Sequence, residues 1–437
     1  MPSRRNNEGL LARVNFPLYT IQMLTNRHVL VGGGGGSSKT GVANGFEIFE
    51  LSHDGSNFIA EEVTRHETGP SVVMNCASFN NSKKTWLVAG QESHCQLYNV
   101  VPRVVAVENG EVVAGANSNF KENDNSLRQR KLNEKKGNSS SNSNTEKVEN
   151  IRDSNSNIKH KKLQLILKPS TSIQTDFSEP EPLQRIVRVS SNGKVMATGG
   201  LDGVIRLWKF PQFEKMYDLK AHTKEVDDID FNINGTFVAT IAKDNRAFVW
   251  NVVEGKKYKE LSWVPLNGAK YLFKRLRFKI PNEKKSATQL YMLSNATSSK
   301  LPSYLQLWDV DQGIIIKSAP YKETLSAIAV SDDGKFVAVG TMFSGSIDIY
   351  IAFSLQKALH VSGAHSMFVT GLEFLPITLD GPSITSNSET AVISISVDNR
   401  ICIHSIPFRH ALPFWLVTLL IILSICGAFI FCSYMGI

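Results

Sequence analysis

The chain has 437 residues, 42% of them hydrophobic and 20% charged, with a formal net charge of +8. That balance excludes a wholly disordered polyelectrolyte and leaves apolar material for a large core. The five cysteines exclude a disulfide framework and fit a reducing compartment: Cys76, Cys95 and Cys402 are scattered, and Cys426 and Cys432 share the last apolar stretch.

The first fifteen residues carry Arg4, Arg5 and Arg13 with no apolar run between them, so no secretory signal is expected there. The body beyond is long for one compact core unless the core is repeated. Seven segments share a β-rich pattern that ends in an aromatic or similarly placed residue. They are Phe46–Phe49, Cys95–Tyr98, Ile205–Trp208, Ala247–Trp250, Leu305–Trp308, Ile347–Tyr350 and Ile401–His404. Each alternates faces as a half-buried strand does, and each follows an apolar strand such as Val195–Thr198, Phe237–Ile241, Phe336–Val339 or Ala391–Val397.

These segments resemble the WD-repeat family. Trp308-Asp309 matches its signature dipeptide, Ala221-His222 and Ala364-His365 approximate its Gly-His, and Gly199–Gly203 and Lys243–Asn245 look like its tight turns. Trp208 and Trp250 are 42 residues apart, as are Trp308 and Tyr350, and a blade of that family takes ~40–45 residues. The expected fold is therefore all-β, a seven-bladed propeller over 1–408. His94, Asp202 and His222 read as structural turn residues of blades.

Between 109 and 162 the composition shifts to Asn, Ser, Lys and Glu, around Ser139–Asn144. So little apolar surface predicts a disordered insertion after the third strand of the second blade, which Leu163–Leu167 resumes. Its mild basicity fits solubility or weak attraction to anionic lipid. No groove-reading helix or aromatic platform accompanies it, so nucleic acid is not an expected partner.

At the far end, Leu412–Cys432 is 21 residues without a charge, which as a helix would span ~30 Å, the thickness of a bilayer core. Arg409 and His410 precede the stretch and nothing basic follows it. The expectation is a single-pass anchor with the propeller cytosolic and 433–437 a short lumenal tail.

The most unusual local feature is the run Gly32–Gly36 followed by Ser37–Gly45, joining the strand His28–Val31 to the strand Phe46–Leu51. A connection of this length is either functional or disordered. Gly36–Thr40 superficially resembles a phosphate loop. That motif needs Gly directly before Lys and a helix after it, whereas Ser38 precedes Lys39 and a strand follows. Two readings stay open: a flexible linker, or tight glycine turns whose carbonyls converge on a cation.

Phe16–Tyr19, the glycine run, Ser38–Gly45, Ala89–Leu97, Gln174–Phe177, Ala197–Gly200, Ile349–Gln356 and the C-terminal anchor closely resemble the prolactin regulatory element-binding protein family. This is the animal branch of the endoplasmic-reticulum WD-repeat exchange factors for the Sar-type small GTPase. The resemblance covers nearly the whole chain apart from the insertion. It implies a guanine-nucleotide exchange factor at the endoplasmic-reticulum membrane that loads the GTPase with GTP and starts COPII coat assembly. Exchange involves no covalent chemistry, so no enzyme constellation is expected.

Carried onto this chain, the family's exchange loop is Gly32–Asn44. Lys39, Thr40, Gly41, Val42 and Asn44 are the expected GTPase contacts, with Thr40, Val42 and Asn44 at the tip. Gly33, Gly34, Gly35 and Gly36 are the turn expected to hold a potassium ion through backbone carbonyls, as in the fungal relative. COPII coat or exit-site scaffold proteins are further expected partners. Two alternatives stand beside this reading: a membrane-anchored scaffold without exchange activity, and a DNA-binding transcription regulator.

Overall fold

A computed structural model of the chain describes residues 9–37, 41–81, 83–108, 111–113, 160–265, 268–281, 288–377, 384–385, 388–408 and 414–436. Lys39 and Thr40, most of the expected insertion at 109–162, and Arg409, His410, Leu412 and Pro413 lie outside the described residues.

Seven antiparallel sheets make the seven blades of a propeller. The first blade is Leu18–Met23, His28–Gly33, Gly45–His53 and Phe58–Glu67, from inner to outer strand. Blades three to six follow the same up-and-down order, at Gln184–Leu219, Val226–Leu261, Tyr271–Tyr321 and Leu325–Val361. All seven signature segments fall in third strands. The second blade is built on Val73–Asn80 and Thr85–Gln91. Its third strand begins at His94, and its outer strand ends at Gln174. Pro102–Gln164 forms a separate compact unit, in which Ala106–Glu108 pairs antiparallel with Glu111–Val113.

The third strands are buried on both faces rather than half-buried. Ile205, Arg206, Leu207 and Trp208 are all buried. The alternation survives with a different meaning, because it divides side chains between the two cores that flank a blade. Ala247 and Val249 enter the core shared with the fifth blade, whereas Phe248 and Trp250 enter the core shared with the third. A blade stacks against a neighbour on each side, so neither face is left for water.

Ring closure was not legible in the repeats. The seventh blade takes Val369–Phe374, Ser388–Ser396 and Arg400–Pro407 from the end of the propeller and its outer strand, Leu10–Arg13, from the beginning. Leu10 pairs with Cys402 and Arg13 with Arg400, and Val14 N donates to Asn399 O at 3.0 Å. This pairing of distant segments leaves no open gap between the first and last blades.

The inner strands surround a cavity of about 370 Å³. Arg277 Nη1 lies 2.8 Å from Asp228 Oδ2, which also accepts from Leu276 N at 3.1 Å. Arg188 Nη2 is 3.9 Å from Asp228 Oδ1, so one carboxylate ties three consecutive blades.

Past the propeller, Phe414–Met435 is one helix with no charged residue. Trp415–Met435 is long and apolar enough to cross a membrane. The helix runs beyond Cys432 through Ser433–Met435, with no breaker before Gly436.

Strand order also fixes two positions. The glycine-rich connection enters a third strand, and the chain leaves the propeller at the end of a third strand, Arg400–Pro407. With all blades in the same order, the loop and the exit lie on opposite faces of the ring.

Candidate functional site

The strands flanking the glycine-rich run reach further in than the sequence suggests. Gly33 pairs with Gly45 in the ladder, so the connection itself is 34–44. Gly33 must be glycine on steric grounds: a Cβ there would lie 1.9 Å from Pro17 O. Gly34 has φ +144°, and a Cβ on it would meet Asn44 Oδ1 at 2.1 Å. Gly34 N donates to Pro17 O at 3.1 Å, tying the start of the loop to the segment before the first blade.

Asn44 closes the other end. It is 5% exposed. Its Oδ1 accepts from Gly36 N at 2.9 Å, and its Nδ2 donates to Gly36 O at 3.1 Å. The same Nδ2 reaches Gly69 O at 3.0 Å and Pro70 O at 3.1 Å. Thr68 N donates to Asn44 O at 3.0 Å. One amide thus clamps the two stems of the loop together and binds both to the turn that leads into the second blade.

This corrects the expectation that Asn44 stands at the tip. An amide that serves both stems has to be buried between them. Val42 is half-buried and packs on the core cluster of Val14, Phe16 and Leu18, so it too is a stem residue. Ser37, Gly41 and Ala43 are exposed. Lys39 and Thr40 fall between Ser37 and Gly41, outside the described residues. The sequence reading missed Thr68, Gly69 and Pro70. Their Thr-Gly-Pro turn chemistry was visible, but its approach to the loop arises only when the outer strand of the blade folds back.

The expected cation site can be tested on donor geometry. The carbonyls of Gly36, Gly69 and Pro70 gather within 3.0–3.1 Å of a single nitrogen. An amide nitrogen carries two hydrogens, so three acceptors exceed what it can serve singly. A cluster of backbone carbonyls is the donor type that binds potassium. Of the four expected glycines, Gly36 belongs to this cluster, while Gly33 is laddered with Leu18 and Gly45.

The face that carries the loop also presents apolar side chains. Phe343, in a second-to-third connection, is 76% exposed, and Met367 and Phe368 at the entrance to the seventh blade are also exposed. A cavity of about 260 Å³ draws its lining from all seven blades, among them Tyr19, Met74, Arg185, Lys274 and Phe368.

His222 is structural. Its Nε2 is 3.0 Å from Thr240 Oγ1, its Nδ1 is 3.1 Å from Asp244 Oδ1, and Trp250 Nε1 donates to the same Thr240 Oγ1 at 3.1 Å. Asp202 accepts from Arg206 Nη2 at 2.6 Å inside its blade. His94 Nδ1 is 2.9 Å from Ser93 Oγ in an exposed turn.

The WD domain, G-beta repeat family matches residues 184–209 and 213–251. The second match runs from the outer strand of one blade to the third strand of the next, the same offset that lets an N-terminal strand close the ring. The guanine nucleotide-exchange factor SEC12 of Mus musculus is 32% identical, over 96% of this chain and 95% of its own length. Its Rattus norvegicus counterpart is also 32% identical, over 96% and 95%. SEC12-like protein 1 of Arabidopsis thaliana is 26% identical, over 44% of this chain and 46% of its own.

Fold and loop thus describe a WD-repeat propeller with a braced loop on one face and an apolar helix leaving from the other. The chain belongs to the SEC12 family of guanine nucleotide-exchange factors.

Proposed function

We propose that this chain is the exchange factor of a Sar-type small GTPase and works with its propeller in the cytosol. The helix at 414–435 holds it in the endoplasmic-reticulum membrane, where GTP loading starts COPII assembly. The observation that carries the reading is the loop at 34–44, braced at both stems by Asn44 in a chain whose full-length relatives are exchange factors.

Exchange breaks no covalent bond. It requires only that the protein bind the nucleotide-free GTPase more tightly than the nucleotide-bound one. A loop whose stems are fixed loses less conformational entropy when its apex enters the nucleotide site. Lys39, Thr40 and Gly41 are the proposed GTPase contacts, and Val42 and Asn44 belong to the braced stem. The exposed Phe343, Met367 and Phe368 on the same face give the GTPase body an apolar docking surface.

The carbonyls of Gly36, Gly69 and Pro70 would hold a potassium ion, whose charge would strengthen the tie between loop and turn. Asn44 orients these carbonyls with or without it. COPII coat or exit-site scaffold proteins are further partners of the assembled site.

The test is stopped-flow GDP release from a Sar-type GTPase, with the full chain in proteoliposomes, in potassium and in sodium. Replacing Ser38–Gly41 by a Gly-Ser linker of equal length should reduce release at least about tenfold while GTPase binding persists. Undiminished release would place the exchange element elsewhere. Binding without any acceleration by the unaltered chain would make it a scaffold.

A further inference from the structure

The face opposite the loop carries a second feature. Between the sixth and seventh blades, where the chain leaves the propeller, lies a groove of about 400 Å³. The apolar part of its described wall is Phe336, Ile351, Phe353, Ala358 and Ile406, with Lys279, Lys335 and Glu389 also in the lining. Phe353 occupies a strand-to-strand turn and is 67% exposed. Phe408, just after the last strand, is exposed as well.

We propose that this groove binds one anionic phospholipid of the bilayer that holds the helix. The proposal rests on the reading of Phe414–Met435 as a membrane anchor. Chain length provides the first argument. Ile406 lines the groove and the helix begins at Phe414. The chain from Ile406 to Phe414 reaches at most ~29 Å when fully extended. The groove is therefore confined near the membrane surface, whereas the loop face is directed away from the exit.

Chemistry provides the second argument. A soluble polar ligand is recognised by several convergent polar groups. This groove pairs an apolar wall with ammonium groups, as an acyl chain with a charged head requires. Lys279, in the lining, donates its Nζ to Gln289 Oε1 at 2.7 Å, and Lys317, outside the lining, donates to Phe353 O at 2.8 Å. Both acceptors are neutral, so neither bond cancels a charge. Lys335 is exposed and lies 3.1 Å from Asp333 Oδ2, a pair that a phosphate can displace in water. Glu389 is the acidic residue of the described lining, beside two lysines, Lys279 and Lys335, so cationic groups outnumber it there.

The full chain is reconstituted in phosphatidylcholine bilayers doped with phosphatidylserine bearing a photoreactive acyl chain, or with the matching phosphatidylcholine probe. Adducts are mapped by peptide mass spectrometry. The serine lipid should label peptides containing Phe353 and Ala358, and the choline lipid should label them far less. A Lys279→Gln/Lys335→Gln double variant should lower the serine-lipid adduct about tenfold, while Phe353→Ser should lower labelling from either probe. Labelling within 414–435 is the internal control. A labelled helix with an unlabelled groove overturns this proposal alone. Equal groove labelling by both lipids, or no response to the lysine change, overturns the selection of an anionic head. Loss of helix labelling overturns the anchor reading and this proposal with it.

Discussion

Asn44 and Gly36 hold each other in both directions: Gly36 N donates to Asn44 Oδ1 at 2.9 Å, and Asn44 Nδ2 donates to Gly36 O at 3.1 Å. The residues bracket the apex of the loop. The bond pair turns an eleven-residue excursion (34–44) into a neck that is closed before any partner arrives. Gly69 and Pro70 extend the same neck to the second blade.

Asn44→Ala removes this neck and leaves the half-buried carbonyl of Gly36 and those of the exposed turn residues Gly69 and Pro70 without their donor. The expected cost is about 1–3 kcal/mol, read as a lower unfolding temperature of the detergent-solubilised chain. Amide exchange should accelerate locally at Gly36 and Thr68. Asn44→Asp should be worse in the absence of a bound cation, because an ionised carboxylate offers only acceptors to those carbonyls.

Gly34 and Gly36 should respond differently to alanine. At Gly34 the added carbon collides with Asn44 at 2.1 Å, on top of a φ of +144°. At Gly36, φ is +85° and nothing lies within 4 Å of the added carbon. Gly36→Ala should therefore cost only backbone strain, ~1–2 kcal/mol. Gly34→Ala should expel the Asn44 side chain and reproduce the exchange kinetics of Asn44→Ala.

Thr240→Val tests the blade assignment of His222. The hydroxyl bonds both His222 Nε2 at 3.0 Å and Trp250 Nε1 at 3.1 Å. Valine keeps the shape and leaves both ring nitrogens unserved. The loss should be about 2–4 kcal/mol, read as a lower denaturation midpoint. Nucleotide release per folded molecule should not change, because this network lies in the fourth blade and the loop in the first.

Glu373 makes stability pH-dependent. It faces the central cavity, where burial pushes its carboxyl up to about 7, with Asp332 adding to the rise and Arg188 and Arg277 opposing it. In the unfolded chain the group titrates near 4.5. Between these values the folded state holds a proton that the unfolded state has released, so stability falls as pH rises through that window. Above about 7 both states are ionised and the loss is complete. Glu373→Gln should therefore raise the unfolding temperature at pH 7.5, and the gain should shrink toward zero at pH 4.5. A gain of equal size at both pH values would contradict the assignment.

The repeats were legible because every third strand carries the same short apolar pattern before a turn. Ile205–Trp208 and Ala247–Trp250 could be aligned by eye. Leu10–Arg13 could not, because four residues with no turn signature reveal nothing of the partner, Arg400–Pro407, that they close upon. The length and glycine content of the loop pointed to it as a candidate site. The role of Asn44 stayed hidden, since it depends on carbonyls at Gly69 and Pro70 that come within reach only in the folded blade. The apolar helix at 414–435 was plain from composition, whereas the groove beside the chain's exit draws on residues from three blades and leaves no local trace.

The most direct test of the account is GDP release from a Sar-type GTPase by the full chain in proteoliposomes, comparing wild type with Asn44→Ala. The account predicts that the variant still binds the GTPase but releases GDP at least about tenfold more slowly, matching ~1.4 kcal/mol or more of lost preorganisation. Release at the wild-type rate, with the neck shown open by amide exchange, would contradict the claim that bracing of the loop drives exchange.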